Sequence, residues 1–397
     1  MSRLLEHGID SSEWEAIKAQ VIAWRRYLHQ HPELSFHEVE TAQFVEDTLR
    51  TFGNLDVYRP TATSVVARLV GPFPGKVLAM RADMDALPIQ EENEFEFTST
   101  RPGVMHACGH DGHTAVLLGV AQILSKWQHR LHGEVRFLFQ HAEELAPGGA
   151  QEMVDAGVMD GVDWVVGAHL AALMETGKIG IVYGAMQASP DGFNITVKGK
   201  GGHAAAPHQT IDPIAIGAQI VTNLQHIVSR STDPLDRIVV SVTQFHAGTT
   251  HNVIPSTAEL TGTVRTFNPE LRQAMPEKFH RLLRGITEAH GAEYELRYSF
   301  GYRPVINNDE TTKIVEDAAI ELFGSEQVIR HNPSMGAEDF SAFLERAPGT
   351  FFNIGAGNKE QGIIYPHHHP RFTIDEDSLG NGVRLFIHIA DKFLRWS

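Results

Sequence analysis

Cysteine is almost missing from this chain: 397 residues hold one, Cys108. A single thiol rules out an internal disulfide framework and fits a reducing cytoplasm. Long apolar runs are missing too. None approaches the length of a membrane span, so no membrane partner is expected. The opening Met1-Ser2-Arg3-Leu4-Leu5-Glu6 lacks the charged and apolar zones of a secretory leader, which makes the expected location cytoplasmic. Dense basic runs are absent, and the net charge is −16, which argues against nucleic acid or an anionic membrane surface as a partner. The acidity serves mainly solubility. There is no internal repeat and no low-complexity tract. The hydrophobic content, 42%, is that of an ordinary globular protein long enough for two or three domains.

Histidine is abundant. Several of the 23 gather near 106–113, 203–208 and 367–369. The stretch Met105-His106-Ala107-Cys108-Gly109-His110-Asp111-Gly112-His113-Thr114 places the lone thiol among imidazoles and a carboxylate. These are the side chains that bind divalent transition metals. Two plainer readings compete. A lone Cys is usually a small buried hydrophobe, and a Cys near a His can be a nucleophile. If Gly109 permits a tight turn, Cys108 and His110 can reach one site. One local cluster cannot fill a coordination shell, so partners must come from elsewhere.

Ser12-Glu13-Trp14-Glu15 has capping-box spacing, predicting a helix with Ser12 as N-cap and Ile17, Val21, Trp24 and Leu28 inward, ended by Pro32. A second amphipathic helix is expected over His37–Thr51. Strands are expected at Ser64–Val70 and Lys76–Ala82, then a helix over Thr114–Trp127 and strands at Val135–Gln140 and Trp164–Ala168. Asp83/Asp85, Glu143/Glu144 and His169 would each follow a strand directly. In an open α/β sheet, ligands gather at such strand ends. That recurrence predicts an α/β domain with a mostly parallel sheet and its site along one edge. Asp83 and Asp85 read either as turn caps or as carboxylates that orient ligand histidines.

From about Met186 the pattern becomes strand–helix–strand–strand–helix–strand, over Phe193–Lys198, Ile211–Val228, Arg237–Phe245, Thr257–Thr266, Pro269–His290 and Tyr294–Ser299. That is the order of a ferredoxin-like α+β unit. The expected organisation is a discontinuous metal-binding domain, 1–185 and 301–397, interrupted by a domain at 186–300. A helix over Thr311–Leu322, a strand at Gly349–Ile354 and a helix over Asp375–Arg395 would complete the first domain.

Eight pieces in order carry a family resemblance: Arg81 through Pro88, Met105 through His113, Phe139 through Glu144, Gly167-Ala168-His169, Gly201-Gly202-His203, Asn252-Val253-Ile254-Pro255, Gly262-Thr263-Val264-Arg265, and His368-His369-Pro370-Arg371-Phe372 with Asp375-Glu376. Together they resemble the M20 metallopeptidase/aminoacylase family, in particular its hippurate hydrolases, N-acyl-amino-acid deacylases and auxin-conjugate hydrolases. The resemblance implies metal-dependent hydrolysis of N-acyl amino acids, with a dipeptidase or carboxypeptidase, or a non-catalytic metal- or ligand-binding protein, as alternatives. It implies two divalent ions (Zn, Mn, Co or Ni) held by Cys108, His110, Glu144, His169 and His368, with His367 and His369 as nearby alternatives. Glu143 would be general base and proton donor, and His203 would stabilise the oxyanion, often across a dimer contact. Asn252 and Arg265 would bind the substrate carboxylate. A homodimer or homotetramer through the inserted domain is expected. Two positions depart from the family pattern: the loop after His169 lacks its usual proline, and His141 stands where many relatives carry Pro. Both are expected to line the pocket.

Overall fold

A computed structural model describes residues 9–394; the leader reading of Met1–Glu6 lies outside them. The first helix, α1 (Ser11–Gln30), buries Trp14, Ile17, Val21, Trp24 and Leu28, the expected stripe. Its N-cap, however, is Asp10 rather than Ser12. Asp10 Oδ1 accepts the N–H groups of Ser12 and Glu13 at 2.8 and 2.9 Å, and Ser12 lies within the first turn. The helix starts earlier than the capping box implies, so its free N–H groups include those of Ser12 and Glu13, which a carboxylate at position 10 reaches and a hydroxyl at position 12 does not. Asp10→Ala should therefore lower the melting temperature by roughly 2–4 °C, and Ser12→Ala by much less. The reverse order in thermal denaturation would restore Ser12 as the cap.

The described residues form two compact units, 9–184 with 306–332 and 339–394, and 185–305 with 333–338. In the first, α2 (Val39–Thr51) precedes β1 (Asp56–Tyr58), β2 (Val65–Val70) and β3 (Phe73–Asp83). Then come α3 (His110–Lys126), β4 (His132–Gln140), α4 (Gly149–Asp155), β5 (Trp164–Glu175) and β6 (Ile179–Ile181). After the second unit follow α5 (Asp309–Phe323), β7 (Val328–Arg330), β8 (Gly349–Gly357) and α6 (Asp377–Leu394). Arg395, the expected end of α6, lies outside the described residues.

These strands make one sheet in the order β1-β2-β4-β3-β5-β8-β6-β7. The centre, β4-β3-β5-β8, is parallel, while β1-β2, β2-β4 and β8-β6 are antiparallel. From Glu134 to Gln140, β4 is buried without alternation, as a parallel strand covered on both faces must be. A single apolar cluster runs from α1 through α3 and the sheet to α6.

Two boundaries move the site. Helix α3 begins at His110, not Thr114, so its first turn carries His110, Asp111 and His113. Strand β5 does not end at Ala168; it continues to Glu175, and His169 sits inside it, opposite Asn353 of β8. Without a proline, each residue of 170–174 keeps an N–H donor. Leu170 gives its N–H to His113 Nε2 at 2.8 Å.

The second unit has strands Ser189–Lys198, Ile238–Ala247, Thr257–Thr266 and Glu293–Ser299 in one antiparallel sheet, with Thr257–Thr266 and Ser189–Lys198 central. Helices Pro213–Arg230 and Pro269–Ala289 bury Ile220, Leu224, Phe279 and Leu283 in a separate core with Phe193 and Leu260. This is the ferredoxin-like order of elements. Residues 333–338 also join this unit: Ala188 donates its N–H to Gly336 O at 2.9 Å. That return is a backbone pairing with no side-chain pattern, so the sequence carried no sign of it.

Candidate metal centre

The turn at Cys108-Gly109-His110 is built on Gly109, at φ +93°, a conformation open to glycine. It brings Cys108, nearly buried at 9% exposure, beside the first residue of α3. Two donor groups share the sulfur. One joins Cys108, His110 and Glu144; the other joins Cys108, His169 and His367; in each, the ligand atoms lie within 4.8 Å of one another. Cys108 Sγ is 3.4 Å from His169 Nε2. His368 Nε2 is 3.1 Å from Glu144 Oε1, and its own N–H is anchored on Ala107 O at 2.8 Å. The three adjacent histidines thus divide. His368 meets Glu144, His367 faces Cys108 and His169, and His369 stacks on Tyr365 at 4.4 Å while its Nδ1 accepts the Arg371 N–H.

The surrounding residues aim these donors. His110 Nδ1 is held by Asp85 through the backbone O at 2.9 Å and Oδ1 at 3.1 Å. Its Nε2 is buried with no hydrogen-bond partner among the described residues. An imidazole fixed at one nitrogen with the other buried and unbonded is the form a metal ligand takes. Asp85 is itself fixed by Ser35 Oγ at 2.7 Å and by the Glu144 N–H at 3.0 Å. His113, which sequence reasoning left unassigned, is committed at both nitrogens, Nδ1 to Asp83 Oδ1 at 2.6 Å and Nε2 to Leu170. Asp83 also binds the buried Arg81 at 2.7 Å, and Arg81 reaches Asp339 at 3.1 Å. Asp339 accepts both Gln140 Nε2 and the Ala150 N–H. Asp339 escaped the sequence reading because nothing in the local pattern near 339 points back to a strand end some two hundred residues earlier. His141 is buried, with its ring edge-on to Phe36 and its Nε2 3.0 Å from Glu152.

Electrostatics follow from burial and neighbours. Burial, reinforced by the charges of Glu144 and Glu143, pushes the Cys108 thiol well up. Burial alone would push His110 down, but Asp83 and Asp85 overcome it and hold it at about 10. Burial would likewise raise Asp83, but Arg81, His110 and His113 hold it well below the usual carboxylate range. His169 is pushed well down by burial and the neighbouring imidazoles. Cation binding at this set must therefore release protons from Cys108 and His110. One thiolate, one carboxylate and several imidazoles suit Zn, Mn, Co or Ni, so the residues of these groups would fit such ions.

His106, three residues before the turn's Gly109, is buried with neither ring nitrogen bonded among the described residues. Burial pushes it down to about 4. The unfolded chain, with an ordinary imidazole near 6.5, takes the proton first. Stability from this residue is complete above about pH 6.5 and is lost as the pH falls toward 4, by about 3 kcal/mol in all. Denaturant unfolding of chelator-treated protein at pH 7 and pH 5 should show a smaller pH difference in His106→Leu than in the parent. An unchanged difference would refute the assignment.

In the second unit, His203 lies exposed on a short ladder opposite Val253 and accepts the Ala205 N–H at 3.0 Å. Asn252 adjoins it, its carbonyl accepting the Ala204 N–H at 3.1 Å. Arg265 is half-buried on strand Thr257–Thr266, eight residues beyond Thr257. That distance is about 26 Å of extended chain. His203 and Asn252 thus lie together, and Arg265 lies near the opposite end of its strand from Thr257.

Buried and half-buried imidazole, thiol and carboxylate donors gathered at one sulfur, with the exposed His368 beside Glu144, are the donor set of a metallohydrolase. The chain belongs to peptidase family M20/M25/M40, whose family model matches residues 79–392. It is 67% identical over 296 residues to an N-acyl-L-amino acid amidohydrolase of Geobacillus stearothermophilus, covering 75% of this chain and 80% of that one. It is 42% identical over 381 residues to thermostable carboxypeptidase 1 of Saccharolobus solfataricus, covering 95% and 96%. A crystal structure of a Bacillus subtilis protein described as a dinuclear metal binding peptidase from M20 family superposes with a TM-score of 0.84 at 39% identity, covering 95% and 98%. Among the described residues, no helix is long and apolar enough to cross a membrane.

Proposed function

We propose that this chain is a metal-dependent amidohydrolase that cleaves N-acyl amino acids into a carboxylic acid and an amino acid. The observation that carries the reading is the shared sulfur: Cys108 belongs to two donor groups at once, beside a buried, unbonded His110 Nε2. Cys108, His110, Glu144, His169 and His368 would hold two divalent ions, with His367 as a further donor on the His169 side. When bound, the ions supply Lewis-acid polarisation of the amide carbonyl and make a water acidic enough to attack near neutral pH. Glu143 takes the proton from the attacking water and delivers it to the leaving nitrogen. Asp83 and Asp85 hold the ligand shell in register. His203 stabilises the oxyanion, and Asn252 and Arg265 bind the substrate carboxylate, whose planar geometry matches a guanidinium fork. The spacing of Asn252 and Arg265 along one chain favours a homodimer or homotetramer through residues 186–300, in which two chains contribute to one site. A cytoplasmic enzyme is the matching setting.

The Saccharolobus solfataricus relative keeps a carboxypeptidase reading in play. Side-by-side assay of N-acetyl and N-benzoyl amino acids and dipeptides, with and without chelator, decides between the two. N-acyl substrates should be preferred by kcat/KM, and chelation should abolish the activity. Preferential cleavage of dipeptides would replace this reading with the peptidase one.

A further inference from the structure

Glu38 lies directly ahead of α2 and is wholly buried, at 0% exposure. Its Oε1 accepts the N–H of Ala142, a residue 104 positions away, at 2.7 Å. Ala142 is at φ +49°, in the left-handed region that a side chain disfavours. The Ala142 carbonyl in turn accepts the Gly149 N–H at 3.0 Å. Gly149 must stay bare, since a Cβ there would lie 2.0 Å from the His141 carbonyl oxygen. Both polar groups of the Ala142 backbone are therefore engaged, one by a carboxylate from a remote segment. On that segment Phe36 is also left-handed, at φ +67°, and its ring meets His141 edge-on at 5.7 Å.

The next two residues are Glu143 and Glu144. The Glu144 N–H is held by Asp85 Oδ2 at 3.0 Å. Residues 142 and 144 are thus each pinned through the backbone by a different buried carboxylate, and Glu143 stands between the two fixed points. Ionised or protonated, a buried carboxyl keeps an oxygen acceptor for such an N–H, which suits it to holding a strained turn. We infer that Glu38 is a positioning residue for Glu143: through the Ala142 N–H it sets the direction in which the Glu143 side chain leaves the main chain. The inference rests on Glu143 being the proton carrier of the proposed reaction.

The test uses the full-length, metal-loaded enzyme with an N-acetyl amino acid as substrate. Glu38→Ala should lower kcat by about 10²-fold, as expected for a reacting group displaced by about an ångström. Metal content and KM should stay at parental values. Glu38→Gln keeps an oxygen acceptor for Ala142 and should restore most of the rate. Parental kcat in Glu38→Ala, equal impairment of Glu38→Ala and Glu38→Gln, or a loss of rate that merely follows lost metal or raised KM would each overturn the inference. Should Glu38→Ala fail to fold, Glu38→Asp draws the carboxyl back from the Ala142 N–H by one methylene while keeping its charge, and a drop in kcat at unchanged metal content is expected. Full kcat in that variant would count against the proposal. Glu143→Gln measured alongside separates the two layers. If it is inactive while Glu38→Ala is fully active, only the positioning role falls; if it is active, the proton-carrier reading falls first.

Discussion

Glu143→Gln is expected to retain both bound metal ions and lose kcat by about 10²–10⁴-fold, with KM little changed. The substitution keeps the shape and removes only the capacity to accept a proton. Glu143 is 7% exposed, beside Glu144, and close enough to Cys108 that its charge helps to raise the thiol. A ligand carboxylate would lose metal when neutralised, whereas a proton carrier loses only turnover. Elemental analysis and steady-state kinetics on the same preparation distinguish these outcomes. Lost metal would make Glu143 a ligand, and near-parental kcat would remove it from the chemistry.

Cys108→Ala should have the larger effect on binding, because the sulfur belongs to both donor groups. Losing a residue that only orients a ligand typically costs about 10–100-fold in metal affinity, and losing a donor that belongs to two donor groups should exceed that. Activity should fall with occupancy. The parent enzyme should also melt at a lower temperature after chelation, because ligand binding to the folded state adds stability. Cys108→Ala should melt at that lower temperature with or without added metal. Unchanged metal content in the variant would sink the ligand assignment and with it the dinuclear reading.

Much of this was legible along the chain, and the exceptions have physical causes. The strand ends at Asp83 and Glu143/Glu144 stood out because a buried apolar run that stops at carboxylates is a local pattern. The α1 stripe of Trp14, Ile17, Val21, Trp24 and Leu28 was equally local. The N-cap was misplaced because Asp10 and Ser12 are both good capping residues, and only the backbone path decides at which residue the helix starts. His169 was expected at a strand end. It lies within β5 because the pairing of Leu170 and Ala171 with β8 depends on a strand that arrives almost two hundred residues later.

Donor identity, charge balance and the order of elements were properties of the sequence, because side-chain chemistry and hydrophobic periodicity act over a few neighbouring residues. The assembly of the centre was decided only in three dimensions. The division of labour among His367, His368 and His369, the commitment of His113 to Asp83 and Leu170, and the reach of Glu38 to Ala142 all depend on which distant segments the sheet brings within hydrogen-bond range. Long-range pairing is set by the packing of the whole core, and no short stretch of residues encodes it.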